Sequence, residues 1–241
     1  MKLHLQTFDL DEVFGIYKVR GEANRLPDRM RFLAPNASSS FHLAYAERPL
    51  KVSDMFRSAD ASLQAVQERR GAQPPGFSGH NYGFSIDLDV DWMLSSKGGR
   101  FVSKQGLDDF MLAHEWRCHR RDHKVEFECW HYNYDIEKYL RDDEKTTAPA
   151  LERKIQAVYG KGFQLTAIEA QIALQGLKLY SGAIDGKLGP LSMQAVQAFQ
   201  RTWTPSKSNY KTSQTLKAES GMLGPVTKRL LAYVSADVQV L

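Results

Sequence analysis

The chain has 241 residues, of which 42% are hydrophobic and 25% are charged, and this composition is typical of a soluble globular protein with one large or two modest domains. No segment is apolar for long enough to span a membrane, which excludes membrane insertion. The N-terminus carries early acidic residues and no apolar run of signal-peptide length, so we expect a protein kept in the cytoplasm until something releases it.

Charge is distributed unevenly along the chain. Residues 151–241 contain eleven Lys and Arg against five Asp and Glu, whereas residues 1–150 contain 21 against 23. A basic part attached to a nearly neutral part suggests an anionic polymer as partner, either nucleic acid or a bacterial envelope. The sequence contains no clear nucleic-acid recognition motif, so we expect no nucleic-acid partner.

The first segment with a chemical pattern is 78–87, after a helix predicted near 59–70. It supplies an imidazole at His80 and a carboxylate at Asp87, and glycines on both sides of His80 allow an irregular backbone there. From Phe84 onward the sequence alternates with a period of two, so the acids at 87, 89 and 91 are expected on one face of a strand. Proximity to His80 favours Asp87 among them.

The second segment, 124–132, also has the pattern of a strand, after a helix predicted near 106–118. Residues three apart on a straight strand point to opposite faces, so Glu128 and His131 can share a site only if the chain bends near Trp130. A hydrolytic zinc needs about three protein ligands, an open position for water and a nearby carboxylate base. His80, Asp87 and His131 can be the ligands, and Glu128 can be the base.

Other candidate metal ligands are weaker. His114 and His119 lie five apart, whereas zinc-binding histidines on one helix face lie four apart, so we interpret both as structural. Cys118 and Cys129 are too few for a cysteine zinc site, and they are expected to be buried free thiols, with a disulfide between them as the alternative.

The segments match the Ser-x-His-x-x-Gly-x-Ala-x-Asp and Glu-x-Trp-His motifs, so the first part of the chain resembles the zinc D-alanyl-D-alanine carboxypeptidases of VanY type. Phage L-alanyl-D-glutamate endopeptidases share that family. The resemblance implies that His80, Asp87 and His131 bind Zn²⁺ and that Glu128 is the catalytic base. The one departure is Ser85, which stands where the family usually has Ala.

Two further residues are carried over from the same resemblance. Arg57, in Asp54-Met-Phe-Arg57-Ser58, corresponds to an arginine that holds a substrate oxygen in that family, and we assign it a catalytic and substrate-binding role. A salt bridge with Asp54 or Asp60 is the alternative explanation for it. Ser78 is assigned to substrate binding, with the capping of a turn as its alternative.

The polar segment 141–150 is predicted to be a linker, which gives a catalytic domain at 1–145 and a second domain at 146–241. Beyond it the periodicity is helical. Ile168, Ile172, Leu174 and Leu177 lie on or near one predicted helix face. The following segment contains Ile184, an apolar residue of the type expected in a core.

A second helix is predicted to begin at Pro190, with Ser192 as a cap and with Val196 and Phe199 in the core. The heptapeptide 186–192 that leads into it is echoed at 221–227, so the second domain reuses one turn-and-helix device. Residues 164–203 resemble the three-helix peptidoglycan-binding domain, through Leu-Gln, Ile-Asp-Gly and Ala-Val-x-x-Phe-Gln elements.

The fold expected from these resemblances is an α+β zinc peptidase domain with a small antiparallel sheet, followed by a small all-α, three-helix wall-binding domain. The expected function is a monomeric phage endolysin that acts on bacterial peptidoglycan and stays in the host cytoplasm until lysis. A bacterial carboxypeptidase exported by another route and a virion-associated lysin are the alternatives. The bond cleaved would be L-Ala–D-Glu, with D-Ala-D-Ala carboxypeptidase activity as the alternative. A wall-binding protein with a structural zinc is the non-enzymatic alternative.

Overall fold

A computed structural model describes residues 2–7, 32–68, 73–95, 99–118, 129–134, 165–205 and 211–240. The strands in these ranges are β1 (Lys2–Thr7), β2 (Phe32–Leu33), β3 (Val52–Asp54), β4 (Ser85–Leu88), β5 (Trp116–Cys118), β6 (His131–Tyr134) and β7 (Asp237–Val240). The helices are α1 (Pro35–Glu47), α2 (Ala59–Glu68), α3 (Val90–Leu94), α4 (Lys104–Ala113), α5 (Ala167–Gly176), α6 (Pro190–Trp203), α7 (Lys211–Ala218) and α8 (Pro225–Val234), together with a 3-10 helix at Gly79–Tyr82. In these ranges, no helix has the length and apolar character needed to cross a bilayer.

The chain divides into two compact units. One consists of Met1–Leu3, Ser58–Asn81 and Ile155–Val238, and the other of His4–Arg57, Tyr82–Lys154 and Gln239–Leu241. The predicted linker at 141–150 lies outside the described residues, so the domain boundary between residues 145 and 146 stays a prediction.

A four-stranded antiparallel sheet in the order β3–β4–β6–β5 is the centre of the second of these units. Its apolar side chains Ile86, Trp116 and Tyr132 are completely buried. The ring of Phe41 from α1 meets Trp116 edge-on at 5.7 Å between centroids. A three-stranded sheet in the order β2–β1–β7 is the other sheet of the described chain. The predicted combination of helices with a small antiparallel sheet is therefore confirmed.

Two elements differ from the expectation. The alternating segment after Phe84 is a strand only as far as Leu88, because Asp89 caps helix α3 by accepting a hydrogen bond from the Trp92 backbone at 3.1 Å. Asp87 is therefore the only one of the three acids on the strand. The prediction that the acids at 87, 89 and 91 share one strand face was wrong. The helix predicted at 106–118 ends at Ala113, and the chain then enters strand β5.

Helices α5 to α8 build the helical part of the chain around a core of Leu174, Val196, Phe199, Leu230 and Leu231. The described part holds four helices here, where the sequence predicted three. Helix α6 begins at Pro190 as predicted, although its cap is Gly189 and not the Ser192 side chain.

The prediction of which residues of α5 form its buried face was wrong. Ile168 and Ile172 are about half exposed, at 48% and 52%, whereas Leu174 and the polar Gln171 are completely buried. Six of the ten positions of this helix are Ala, Ile or Leu, and they are spread around its circumference, so apolar periodicity could not single out one face. Ile184 is also 40% exposed and does not belong to the core.

Candidate metal centre and wall-binding module

The sheet register brings two of the predicted ligands together. Asp87 of β4 and His131 of β6 are direct cross-strand partners, so their side chains project from the same face at short range. His131 Nδ1 lies 2.8 Å from Asp87 Oδ1. Asp54 of β3 is the partner of Asp87 on the other side, which places Asp54, Asp87 and His131 in a row across three strands.

Arg57 follows β3 and reaches this row. Its Nε donates to Asp54 Oδ2 at 2.6 Å and its Nη2 donates to Asp87 Oδ2 at 3.1 Å. The salt bridge with Asp54, considered from the sequence as an alternative to a substrate role, is therefore present. Because the same guanidinium also contacts Asp87, Arg57 lies beside the predicted ligands, and its catalytic and substrate-binding role stays a prediction.

The 3-10 helix Gly79–Tyr82 carries His80, whose side chain is buried with 1% exposure. Its turn is closed by Asn81, whose Oδ1 accepts from the backbone N–H groups of Gly76 at 2.9 Å and Ser78 at 3.1 Å. The Asn81 amide in turn donates to Ser62 Oγ on α2 at 2.6 Å. A buried side-chain network therefore fixes the backbone that presents His80.

The three predicted ligands form a group that could hold a metal ion. One ligand atom from each of His80, Asp87 and His131 lies within 4.8 Å of the other two. His80 and Asp87 are buried and His131 is partly buried, so a cation here would be largely shielded from water. Two imidazoles and one carboxylate are a donor set that suits zinc and leaves a coordination position open.

Glu128, the predicted base, lies outside the described residues. The two residues that follow it, Cys129 and Trp130, form a turn that leads into β6. A turn at this point is the bend that the sequence required if Glu128 and His131 are to share one site. The role of Glu128 stays a prediction.

Two serines near the site make hydrogen bonds within the fold. Ser78 Oγ accepts from the His80 backbone at 3.4 Å, which is the capping contact considered as the alternative to substrate binding. Ser85, the departure from the family motif, is buried and donates to Asn133 Oδ1 at 2.6 Å across β4 and β6. Its hydroxyl therefore has a structural partner next to the predicted ligands.

The weaker candidate ligands have other partners. His114 ends helix α4, where its ring lies 3.0 Å from Glu47 Oε2 and 4.8 Å from the Phe110 ring centroid. Cys118 and Cys129 form no disulfide, as expected, and Cys118 is buried, but Cys129 is only partly buried, so the prediction that both are buried was wrong for Cys129. His119 lies outside the described residues.

Sequence reasoning missed Asp54 and Asn81 as supports of this site. Asp54 was considered only as an explanation for Arg57, because its place beside Asp87 depends on the pairing of β3 with β4. Asn81 directly follows His80, and a preference of Asn for turns was the available signal for its role.

The helical part contains a loop built around the buried Gln171. Its Oε1 accepts from the backbone of Asp185 at 3.1 Å and of Gly186 at 2.8 Å, and its Nε2 donates to Lys187 O at 3.1 Å. Gly186 adopts φ +75°, a conformation that favours glycine. A hydrogen bond from the backbone N–H of Lys187, and to a smaller extent one from the Gln171 amide, lowers the pKa of Asp185 from its ordinary value.

A second loop repeats this arrangement around Gln200. Its Oε1 accepts from Gly221 N at 2.7 Å, and its Nε2 donates to Glu219 O at 2.7 Å and Thr227 Oγ1 at 2.8 Å. Gly221 has φ +73°, and α8 begins with Pro225 after a glycine just as α6 does. The reuse of one turn-and-helix device is therefore confirmed. Helix α6 directly follows the first loop and carries Gln200, the residue at the centre of the second loop.

A comparison with known protein families indicates the class of this module. A family model for a peptidoglycan binding domain matches residues 166–202, which include the loop around Gln171. The match supports binding of this part of the chain to peptidoglycan.

No curated protein matches the chain. The match to the peptidoglycan binding domain thus covers one part of the sequence, and the row of Asp54, Asp87 and His131 lies outside it.

Proposed function

We propose that the protein is a zinc-dependent peptidase that cleaves the stem peptide of bacterial peptidoglycan while the helical module holds it on the wall. The observation that carries this proposal is the group of His80, Asp87 and His131, whose ligand atoms lie within 4.8 Å of one another. The family match at residues 166–202 supports the same polymer as substrate.

Each residue of the proposed site would have a separate role. His80, Asp87 and His131 would hold Zn²⁺, which supplies a Lewis acid that polarises a carbonyl and makes water more acidic. Glu128 would accept a proton from the attacking water and pass it to the leaving amine. Arg57, which already lies beside Asp87, would hold an oxygen of the substrate.

The scissile bond proposed is L-Ala–D-Glu, because cutting inside the stem opens the mesh of the wall, whereas removal of a terminal D-Ala does not. A lytic enzyme of phage origin would need this internal cut. The cellular location and the monomeric state stay predictions.

The first experiment is mass spectrometry of the fragments that the zinc-loaded protein releases from purified peptidoglycan, with a chelator-treated sample beside it. New N-terminal D-Glu would support the endopeptidase, whereas loss of a single D-Ala would mean a carboxypeptidase. The absence of any chelator-sensitive product would contradict the peptidase proposal.

Variants separate metal binding from catalysis. His131→Ala should lose stoichiometric zinc, measured by elemental analysis after dialysis, because two ligands remain. His114→Ala is the matched control, since it removes an imidazole that contacts Glu47 and Phe110 instead of the predicted ligands. Glu128→Ala should keep zinc and lose activity. Unchanged zinc content in His131→Ala would refute the ligand assignment.

One observation favours a second candidate, a wall-binding protein without turnover. Asp87 is already engaged by Arg57 and His131, so a network of three side chains can satisfy the buried carboxylate without catalysis. In that case the protein would bind peptidoglycan in a sedimentation assay and release no fragments with or without zinc.

A further inference from the structure

A buried arginine of helix α8 touches the loop that leads to His80. Arg229 is only 5% exposed, and its Nε donates to the carbonyl oxygen of Gly76 at 2.8 Å. The centre of its guanidinium lies 4.6 Å from the ring centroid of Phe77. Burial of a guanidinium is costly unless neighbouring groups compensate for the lost water, and two groups that do so here, the Gly76 carbonyl and the Phe77 ring, belong to the loop.

The loop at 76–77 packs closely against α8 at Gly76. This glycine has φ +82°, and a Cβ added to it would lie 2.9 Å from Cβ of Tyr233. Phe77 packs against the core of the helical module. The backbone at 76–77 is therefore held by a hydrogen bond, by ring contacts and by close packing, all of them to helix α8 or to the core that it helps to form.

The same loop is connected to His80 by short hydrogen bonds. Asn81 Oδ1 accepts from both Gly76 N and Ser78 N, and Ser78 Oγ accepts from His80 N. A displacement at Gly76 would therefore be transmitted to the turn that carries His80 within a few residues.

We propose that Arg229 is a positioning residue for the metal site: through Gly76 and Phe77 it holds the loop 76–81 in the conformation that presents His80. The part of the inference that concerns metal binding rests on the proposed function. The wall-binding module then has a second task, because its last helix supports the segment that supplies a ligand.

The test uses the full chain with Arg229→Met, which keeps a long side chain over Phe77 and removes the donor to Gly76. Arg229→Lys retains the positive charge but lacks the planar fork of donors, so it should rescue the loop in part. Lys228→Met is the matched control, since it removes a positive charge from the neighbouring position of the same helix.

The first measurement is hydrogen exchange of the peptide that covers residues 76–82, compared with a peptide from β4. Arg229→Met should raise exchange in 76–82 by about tenfold or more while β4 stays protected, and Lys228→Met should match the wild type. Unchanged exchange at 76–82 in Arg229→Met would overturn the inference, whether or not the protein binds zinc. If Arg229→Met does not fold, Arg229→Lys takes its place, with a smaller increase expected and the same overturning result.

The second measurement is zinc affinity by competition with a chelator. Outer supports of metal ligands contribute roughly tenfold to a hundredfold in affinity, so Arg229→Met should bind zinc about tenfold more weakly than the wild type. Equal zinc affinity in the two proteins would overturn the link between the loop and the metal. Failure of the wild type to bind zinc would instead contradict the proposed function, while the exchange measurement would still decide the role of Arg229 at the loop.

Discussion

Replacement of Gln171 by leucine should open the loop of the wall-binding module locally. Gln171 is completely buried and is the partner of two backbone N–H groups, at Asp185 and Gly186, and of the carbonyl of Lys187. Leucine fills a similar volume but cannot bond any of the three.

The size of the effect follows from these three groups. A buried polar group left without a partner costs roughly 1–3 kcal/mol. Asp185 and Lys187 are exposed residues, so water can reach the loop, and we take the lower value of about 1 kcal/mol for each of the three groups. Leucine has two more apolar carbons than glutamine, and their burial recovers about 0.8 kcal/mol each, which leaves a net loss of about 1.4 kcal/mol.

The assay is hydrogen exchange of the peptide that covers residues 184–188 in the full chain. A loss of about 1.4 kcal/mol corresponds to roughly tenfold faster exchange through local opening. Gln175→Leu makes the same chemical change at an exposed position of the same helix and should leave this peptide unaffected. Exchange in Gln171→Leu within about threefold of the wild type would refute the reasoning.

Three further predictions concern stability. Thr166→Ala should cost about 1 kcal/mol in urea unfolding, because Thr166 and Glu169 form a capping box at the start of α5. Hydrogen bonding to the backbone N–H of Thr166 lowers the pKa of Glu169, so its contribution is complete above the ordinary pKa of 4.5 and is lost as the pH falls through the lowered value. Glu169→Gln should remove that part of the pH dependence, and an unchanged slope as the pH falls below 4.5 would argue against it. Gly83→Ala should cost more than about 2 kcal/mol, since φ is +71° and the added Cβ would lie 2.5 Å from the Ala34 nitrogen. Gly106→Ala, with only an ordinary 3.5 Å contact to Ser103 Oγ, is its control, and equal melting temperatures for the two variants would contradict the argument.

The residues of the candidate site could be chosen from the sequence, but their arrangement could not. The spacing of His80 and Asp87 and the chemistry of His131 suggested a metal group, and the structure brings these three together. The means of assembly is the cross-strand pairing of Asp87 with His131, which depends on a register between strands 44 residues apart. No local pattern encodes that register, so the contact of Arg57 with Asp87 was also beyond prediction, although its salt bridge with Asp54 could be considered from the sequence.

The limits of periodicity explain the errors in the fold. In α5 the apolar residues are spread around the whole helix and offered no contrast between faces, and a polar residue, Gln171, proved to be buried because its amide organises a loop. After Leu88 an alternating pattern continued into a helix, because the capping by Asp89 overrode the preference for a strand. In both places, hydrogen bonding by a side chain determined the local structure more than hydrophobicity did.

Helix α6 follows the loop around Gln171 and carries Gln200, which organises the second loop, so both loops depend on this helix. This dependence matters for the engineering of the module. A fragment that ended at residue 202, where the family match ends, would keep the first loop and remove the partners of the Gln200 side chain in the described residues, which are Gly221, Glu219, Met222 and Thr227. It would also remove Leu230 and Leu231, which complete the apolar core around Phe199. A portable wall-targeting tag made from this chain therefore has to extend through α8, to Val234.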